Sequence, residues 1–101
     1  MQIALRDARE FIAGGSREQF FGDKRLQSAV CMKLEVVGEA ARAIGSAFKD
    51  AHAEIPWSAI VGLRHRIVHE YFRLDLDVIW EIVDREVPEL LRLIAPLVQP
   101  P

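Results

Sequence analysis

Cysteine, tyrosine and long apolar runs are scarce in this sequence of 101 residues. The single cysteine, Cys31, cannot form an intramolecular disulfide, which is typical of proteins from a reducing compartment. No apolar run approaches the roughly 20 residues that a membrane helix needs. The segment Met1–Asp7 is charged too early for a signal peptide. We therefore expect a single soluble domain that comprises residues 1–101, lies in the cytoplasm and has no membrane partner.

An excess of positive charge is also missing. The chain has 13 Lys and Arg against 15 Asp and Glu, which gives a net charge of −2. This balance excludes a protein that coats nucleic acid with its whole surface, so any such contact must come from a local cluster. Arg64, Arg66 and Arg73, opposed by Glu70, form one such cluster.

The alternation of apolar and polar residues that marks β-strands is absent, and apolar residues recur instead at helical spacing. A long helix is predicted from about Lys24 to Lys49. One of its two apolar stripes is mostly alanine and comprises Ala29, Met32, Val36, Ala40, Ala43 and Ala47. Small side chains let another helix approach closely, so we predict that this alanine stripe forms part of a homodimer face. The whole pattern predicts an all-α fold, an antiparallel bundle of four to five helices.

Several residues predict where helices begin or bend. Ser16 with Gln19 forms a candidate capping box, and Asp23 and Asp75 are candidate N-caps. Pro88 interrupts the last apolar stripe without changing its phase. It therefore predicts a kink or a brief break in the helix, and not the start of a second domain.

Functional groups concentrate in one stretch of ten residues, Leu63–Phe72, which holds two Arg, two His and the only Tyr of the chain. Apolar residues at helical spacing predict that this stretch is the second half of a helix begun near Pro56. Steps of about 100° place His65 and His69 on one face, whereas Arg64 lies about 140° from His69. The two would converge if the helix ended near His69, if the arginine bent round, or if two copies met at a symmetry axis.

Glu35 and Glu39 lie four residues apart on the predicted long helix, where like charges destabilise a helix by about a few tenths of a kcal/mol. One interpretation is a solvated strip in which Glu39 pairs with Arg42. The other is that one of the two carboxylates holds Arg64 or Arg66 in place.

Four segments of the chain, in the same order, resemble the HepT-like branch of the HEPN superfamily. Arg64, His69 and Tyr71 match its R-x4-H-x-Y motif. Three further segments resemble its L-E-x-x-G-E-A-A-R segment, its I-P-W turn and its D-L-x-x-[IV]-W helix start: residues 34–42 (LEVVGEAAR), 55–57 (IPW) and 75–80 (DLDVIW). The chain departs from the family at His65, where the family usually has Asn.

This resemblance implies a metal-independent RNA endonuclease that uses no cofactor, with Arg64 and His69 as its catalytic residues. Four more residues would contact substrate or support the catalytic pair: His65, Arg66, Glu35 and Glu39. His69 can take a proton from a ribose 2′-hydroxyl or give one to the leaving 5′-oxygen, and Arg64 can hold the phosphate. A 2′-oxygen nucleophile leaves a cyclic phosphate and restricts the substrate to RNA, which excludes DNA.

The resemblance also implies a partner and a modification. HepT-like proteins are typically the toxins of toxin–antitoxin pairs, here of a type VII-like system, with an MNT-type nucleotidyltransferase as antitoxin. The antitoxin transfers AMP to the tyrosine of the motif, which corresponds to Tyr71. AMP at this position would add bulk and negative charge two residues from His69 and beside Arg64 and Arg66.

Two other interpretations stay open. His65 and His69 could bind a metal ion with His52 or Glu70 as a third ligand, although the Glu of an H-E-x-x-H signature is absent. The chain could also be a non-catalytic subunit that binds a nucleotide or a protein and partners a minimal nucleotidyltransferase.

Overall fold

The structure, a computed structural model, describes residues 1–72 and 75–98, without the side chains of residues 70–72 and 98. No β-strand occurs in this part of the chain, and the predicted all-α fold is confirmed. The helices are α1 (Gln2–Ile12), α2 (Arg17–Phe21), α3 (Lys24–Ala43), α4 (Ser46–Ala51), α5 (Trp57–Val61), α6 (Leu63–Phe72), α7 (Leu76–Glu81) and α8 (Val87–Ile94). A π-turn, Ile82–Glu86, joins α7 to α8, and a 3₁₀ turn, Ala95–Val98, follows α8. None of the described helices is long and apolar enough to cross a membrane.

The predicted helix caps are present. Ser16 and Gln19 form the capping box of α2, because the Ser16 hydroxyl accepts from the Gln19 backbone N–H and the Gln19 side chain accepts from the Ser16 N–H. Asp23 accepts from the backbone N–H of Leu26 at the start of α3. The Asp75 carboxylate likewise accepts from the third residue of α7. These side chains satisfy backbone donors that have no partner within their helices.

Helix α3 is the centre of the bundle and packs against α1, α2, α5 and α6. Its inner face is fully buried and consists of Val30, Leu34, Val37 and Ala41. Gln27 is buried on the same helix, where its side-chain amide donates to the carbonyl oxygens of Phe20 and Phe21 at 3.0 Å each. These bonds compensate the cost of burying a polar group and tie the end of α2 to α3.

Cys31 is also buried on α3. Burial, with a smaller contribution from the Glu35 carboxylate, raises the pKa of its thiol to about 12. The thiol therefore stays protonated at neutral pH and behaves as a small apolar side chain.

The predicted single helix from Lys24 to Lys49 is wrong near its end. Ile44 leaves α3 with an extended backbone, φ −72° and ψ 134°, and Gly45 starts the separate helix α4. The break directs Phe48 of α4 onto the bundle, where its ring lies 6.1 Å from that of Trp57 in a T-shaped arrangement. This aromatic contact helps to hold α4 against α5.

The bend predicted at Pro88 is a π-turn. The backbone N–H of Val87 donates to the carbonyl oxygen of Ile82, five residues earlier and not four. Proline has no N–H to donate to the Asp84 carbonyl, and the Arg9 guanidinium of α1 donates to that oxygen at 3.5 Å. The extra residue in this turn rotates the following helix relative to α7.

Helices α3 and α6 cross closely at Gly38. A methyl group on its Cα would lie 3.1 Å from the backbone nitrogen of Arg64 and 3.4 Å from the Ile60 carbonyl oxygen. These contacts are tighter than most Cβ contacts in proteins, so glycine is favoured here because it has no side chain, and not because of its backbone angles. The crossing places the start of α6 directly against the middle of the central helix.

We expect Gly38→Ala to lower the free energy of unfolding by about 1 kcal/mol or more, because the added methyl group would push the two helices apart. At an open helical position the same change stabilises a protein by up to about 1 kcal/mol. Chemical denaturation of the parent and of Gly38→Ala measures the difference. A Gly38→Ala protein as stable as the parent would contradict the close crossing.

Candidate active site

Helix α6 positions the candidate catalytic side chains. Leu63 and Ile67, one turn apart, are 2% and 1% exposed and anchor the helix to the core. Burial of this apolar pair fixes the rotation of α6 about its axis. As a consequence Arg64, His65 and His69 are exposed.

Arg64 is directed towards α3. Its Nε lies 3.6 Å from Oε1 of Glu39, and both side chains are more than half exposed, at 60% and 52%. Glu39 is thus the one of the two candidate carboxylates that contacts this arginine. The contact involves Nε, so the two terminal nitrogens of the guanidinium are not used in this ion pair. An exposed pair of this kind is weak and exchanges readily with another anion.

Arg66 is held in a different way. Its Nη1 and Nη2 donate to the two carboxylate oxygens of Glu86 at 3.0 Å and 3.2 Å. This two-point contact joins α6 to the π-turn, and both side chains are less than half exposed, at 41% and 44%. Arginine matches a carboxylate in this geometry, so the pair positions α6 and keeps the Arg66 fork occupied.

The sequence analysis does not predict a role for Glu86. It names Glu35 and Glu39 as the carboxylates that could hold Arg64 or Arg66 in place. No local spacing relates residues 66 and 86, and the register of the π-turn decides where Glu86 points. The Glu35 carboxylate lies beside Cys31. It also lines a depression next to Arg64.

That depression has a volume of about 420 Å³ and is open to solvent on the outer side of α3. Its lining residues are Met32, Glu35, Val36, Glu39, Ala40 and Arg64. Met32 and Val36, both from the alanine stripe, are 57% and 48% exposed. The stripe therefore presents large apolar side chains to solvent immediately beside the candidate catalytic arginine.

His65 and His69 share one face of α6, as their spacing predicts. Their rings are nearly parallel, with 9° between the planes and 6.1 Å between the centroids. Within the described residues no group of three or more His, Cys, Asp or Glu side chains could hold a metal ion. His52, a candidate third ligand, packs against Phe48 with ring centroids 4.4 Å apart. The Glu70 side chain lies outside the described part.

Tyr71 lies in the last turn of α6. Its side chain is outside the described part of the structure, so the expected proximity of its hydroxyl to His69 stays a prediction.

The sequence profile described as "Ribonuclease HepT-like" matches residues 1–97, nearly the whole chain. This chain belongs to the HepT-like ribonuclease family. The family resemblance inferred from the motifs and the prediction of a ribonuclease-family enzyme are therefore confirmed. No solved structure gives a significant match to the chain.

Individual relatives support the same family. A Caldanaerobacter subterraneus protein provisionally named an RNase is 36% identical over 90 residues, which are 89% of this chain and 80% of the relative. A Methanocaldococcus jannaschii protein with the same provisional name is 36% identical over 87 residues, covering 86% of this chain and 80% of the relative. The Thermococcus cleftensis protein named probable ribonuclease HepT is 41% identical over 73 residues, covering 72% of this chain and 66% of the relative.

The contact between α6 and the π-turn of this HepT-like protein can be measured with a double-mutant cycle. We expect Arg66→Ala and Glu86→Ala to show a coupling energy of about 1 kcal/mol in stability, at the upper end for pairs that solvent partly screens. The exposed pair Arg85–Glu81, at 3.2 Å within one helical stretch, is the control and should give about 0.3 kcal/mol. Equal coupling in the two pairs would contradict a positioning role for Glu86.

Proposed function

We propose that this chain is a metal-independent RNA endonuclease, a single domain of residues 1–101 that acts in the cytoplasm as the toxin of a type VII-like toxin–antitoxin pair. The observation that carries the proposal is the exposed set of Arg64, His65 and His69 on α6, in a chain of the HepT-like ribonuclease family. The buried Leu63 and Ile67 hold this set at a fixed orientation.

The proposed chemistry uses the 2′-hydroxyl of the substrate as nucleophile. The 2′-oxygen attacks the adjacent phosphorus, the bond to the 5′-oxygen breaks, and a 2′,3′-cyclic phosphate and a 5′-hydroxyl result. His69 transfers one of the two protons that move in this reaction. Arg64 exchanges its weak contact with Glu39 for the phosphate and stabilises the additional negative charge of the transition state. DNA lacks the nucleophile and is not cut.

We expect His69→Ala and Arg64→Ala each to reduce RNA cleavage by about 10²-fold or more, with the helical content and partner affinity unchanged because both side chains are exposed. Arg64→Lys should restore little activity, since a point charge does not replace the planar fork. Single-turnover cleavage of a labelled RNA measures these rates. Arg42→Ala, which removes an exposed arginine of α3, is the matched control. Parent rates in both Ala variants would favour the alternative, a non-catalytic subunit that binds a nucleotide or a protein.

We further propose that two copies form an isologous homodimer through the alanine stripe and α6. Met32 and Val36 are large apolar side chains exposed on the stripe, and a second copy of the same surface would cover both. Arg64 lies at the edge of this surface. Within one chain Arg64 contacts α3 while His69 lies beside His65. A two-fold axis here would bring the arginine of one copy to the histidine of the other.

A mixture of two inactive variants tests this arrangement. We expect Arg64→Ala and His69→Ala proteins, mixed and allowed to exchange subunits, to recover about a quarter of the parent activity, because half of the dimers then contain one complete site. Light scattering should give the mass of two chains, and Met32→Glu with Val36→Glu should give the mass of one. A single-chain mass for the unaltered protein at micromolar concentration would contradict the dimer.

The partner that we propose is an MNT-type nucleotidyltransferase antitoxin, which silences the enzyme by transferring AMP to the hydroxyl of Tyr71. Tyr71 follows His69 by two residues on α6. A nucleotide there would fill space beside His69, and its phosphate would compete with substrate for Arg64.

Because Tyr71 is the only tyrosine in the chain, the modification has a clear test. We expect incubation with the partner and ATP to add mass in steps of one AMP to the parent protein and none to Tyr71→Phe, which keeps the aromatic ring but lacks the oxygen. Intact-protein mass spectrometry measures the addition. Modification of a serine or threonine, or none with an active partner, would contradict this mechanism.

A further inference from the structure

A cavity of about 260 Å³ lies between the end of α1, helix α7 and the π-turn. Residues 12–15 form one wall, Arg9, Trp80 and Asp84 form the others, and no residue of α6 lines it. The volume is below the roughly 300–1,000 Å³ of sites for drug-sized ligands, so the cavity suits a single planar group.

A tight turn keeps one wall of the cavity free of large side chains. Ala13 has φ −60° and ψ 131°, Gly14 has φ 75°, and the Gly15 N–H donates to the Ile12 carbonyl oxygen at 3.0 Å. These values define a type II turn, in which the third residue has a positive φ and is therefore usually glycine. Because neither glycine has a side chain, the space beside Trp80 stays open.

The polar side chains of this cavity come from three different elements and are not used up in the fold. Arg9 of α1 makes only a long contact, 3.5 Å from its Nη1 to the backbone carbonyl oxygen of Asp84. The Asp84 carboxylate has no ion pair, and the Trp80 indole N–H has no acceptor, among the described residues. The indole of Trp57, in contrast, donates to the His52 carbonyl oxygen at 3.0 Å. The cavity thus offers two hydrogen-bond donors and one acceptor to a ligand.

The charges of the cavity decide between classes of ligand. Arg9 and Asp84 cancel each other, so a phosphate would meet the carboxylate and a cation would meet the guanidinium. A neutral planar group that carries both donors and acceptors satisfies both side chains. Nucleobases have this character, and the half-buried indole of Trp80 provides an aromatic surface for one.

Among the bases, guanine matches these two side chains best. Its N1–H and 2-amino group can both donate to the Asp84 carboxylate, while its O6 and N7 can accept from the Arg9 guanidinium. Adenine would instead present the lone pair of N1 to the carboxylate and leave that acceptor without a donor. Hypoxanthine keeps N1–H, O6 and N7 and lacks only the 2-amino group.

We propose that this cavity is a base-recognition site that binds an unstacked guanine of a single-stranded RNA substrate. That the strand is a substrate rests on the proposed ribonuclease function. Sequence-specific recognition of RNA uses single-stranded bases that stack on aromatic side chains and donate and accept along their edges. Asp84 lies two residues before Glu86, which holds Arg66 of α6. The π-turn therefore connects the base-recognition site to the helix that carries the candidate catalytic residues.

The experiment uses short fluorescent DNA strands of thymines with one central guanine, hypoxanthine or adenine. DNA lacks the 2′-hydroxyl nucleophile, so binding can be measured by fluorescence anisotropy without cleavage. We expect the parent protein to bind the guanine strand about tenfold or more tightly than the adenine strand, since two hydrogen bonds to one base edge are lost. The hypoxanthine strand should bind with an intermediate affinity.

Variants of the two polar side chains test which residues read the base. Asp84→Asn should lower the affinity for the guanine strand to that for the adenine strand, because an amide cannot accept both guanine donors. Arg9→Lys should weaken guanine binding several-fold, since a point charge does not replace the fork. Asp50→Asn and Arg25→Lys change exposed residues outside the cavity and are the matched controls, which should keep the parent preference. Circular dichroism should show unchanged helix content in all four variants.

The remaining outcomes contradict the base-recognition site. Equal binding of the three strands by the parent, no measurable binding, or a guanine preference that persists in Asp84→Asn would each overturn it. Cleavage of RNA by a protein that binds the three strands equally would refute this site alone. A guanine preference in a protein that cuts no RNA would refute the ribonuclease function and support the site.

Discussion

The close crossing of α3 and α6 at Gly38 is the constraint on which the candidate site depends. The backbone nitrogen of Arg64 lies so near this glycine that a methyl group would approach it to 3.1 Å. Leu63 and Ile67 then bury one face of α6 and leave the opposite face in solvent. The crossing at Gly38 sets the position of α6, and the burial of Leu63 and Ile67 sets its rotation. A packed core does not deform continuously, so both stay fixed. The exposed functional groups follow from that placement.

Two arginines two residues apart on α6 have different environments, and their contacts explain a division of tasks. Arg66 uses both terminal nitrogens on Glu86 and connects α6 to the π-turn, so it acts as a structural support. Arg64 has a single longer contact with Glu39 and is largely exposed, so a phosphate can replace the carboxylate. A site that binds an anion needs a rigid framework and a cation that is available to the ligand. Arg66 contributes to the first and Arg64 provides the second.

Features that depend on local periodicity and helix capping can be predicted from the sequence. Features that depend on contacts between residues far apart in the sequence cannot. The all-helical class, the capping box at Ser16, and the shared face of His65 and His69 all follow from short-range patterns. The end of α3 at Ala43 does not: the backbone becomes extended at Ile44, and Phe48 of the next helix contacts Trp57, which is distant in sequence. The contact between Arg66 and Glu86 could not be predicted from the sequence either. The π-turn shifts the helical register before Glu86, and no pattern in the sequence predicts a π-turn there.

The central claim is that the side chains of α6 cleave RNA through its own 2′-hydroxyl without a metal ion. The most direct measurement uses a DNA oligonucleotide that contains one ribonucleotide, incubated with the protein in a chelator and analysed by mass spectrometry. The account predicts one cut, after the ribonucleotide, with a 2′,3′-cyclic phosphate on one fragment and a 5′-hydroxyl on the other. Cleavage elsewhere in the DNA, a 5′-phosphate product, or activity only after addition of a divalent metal would contradict it.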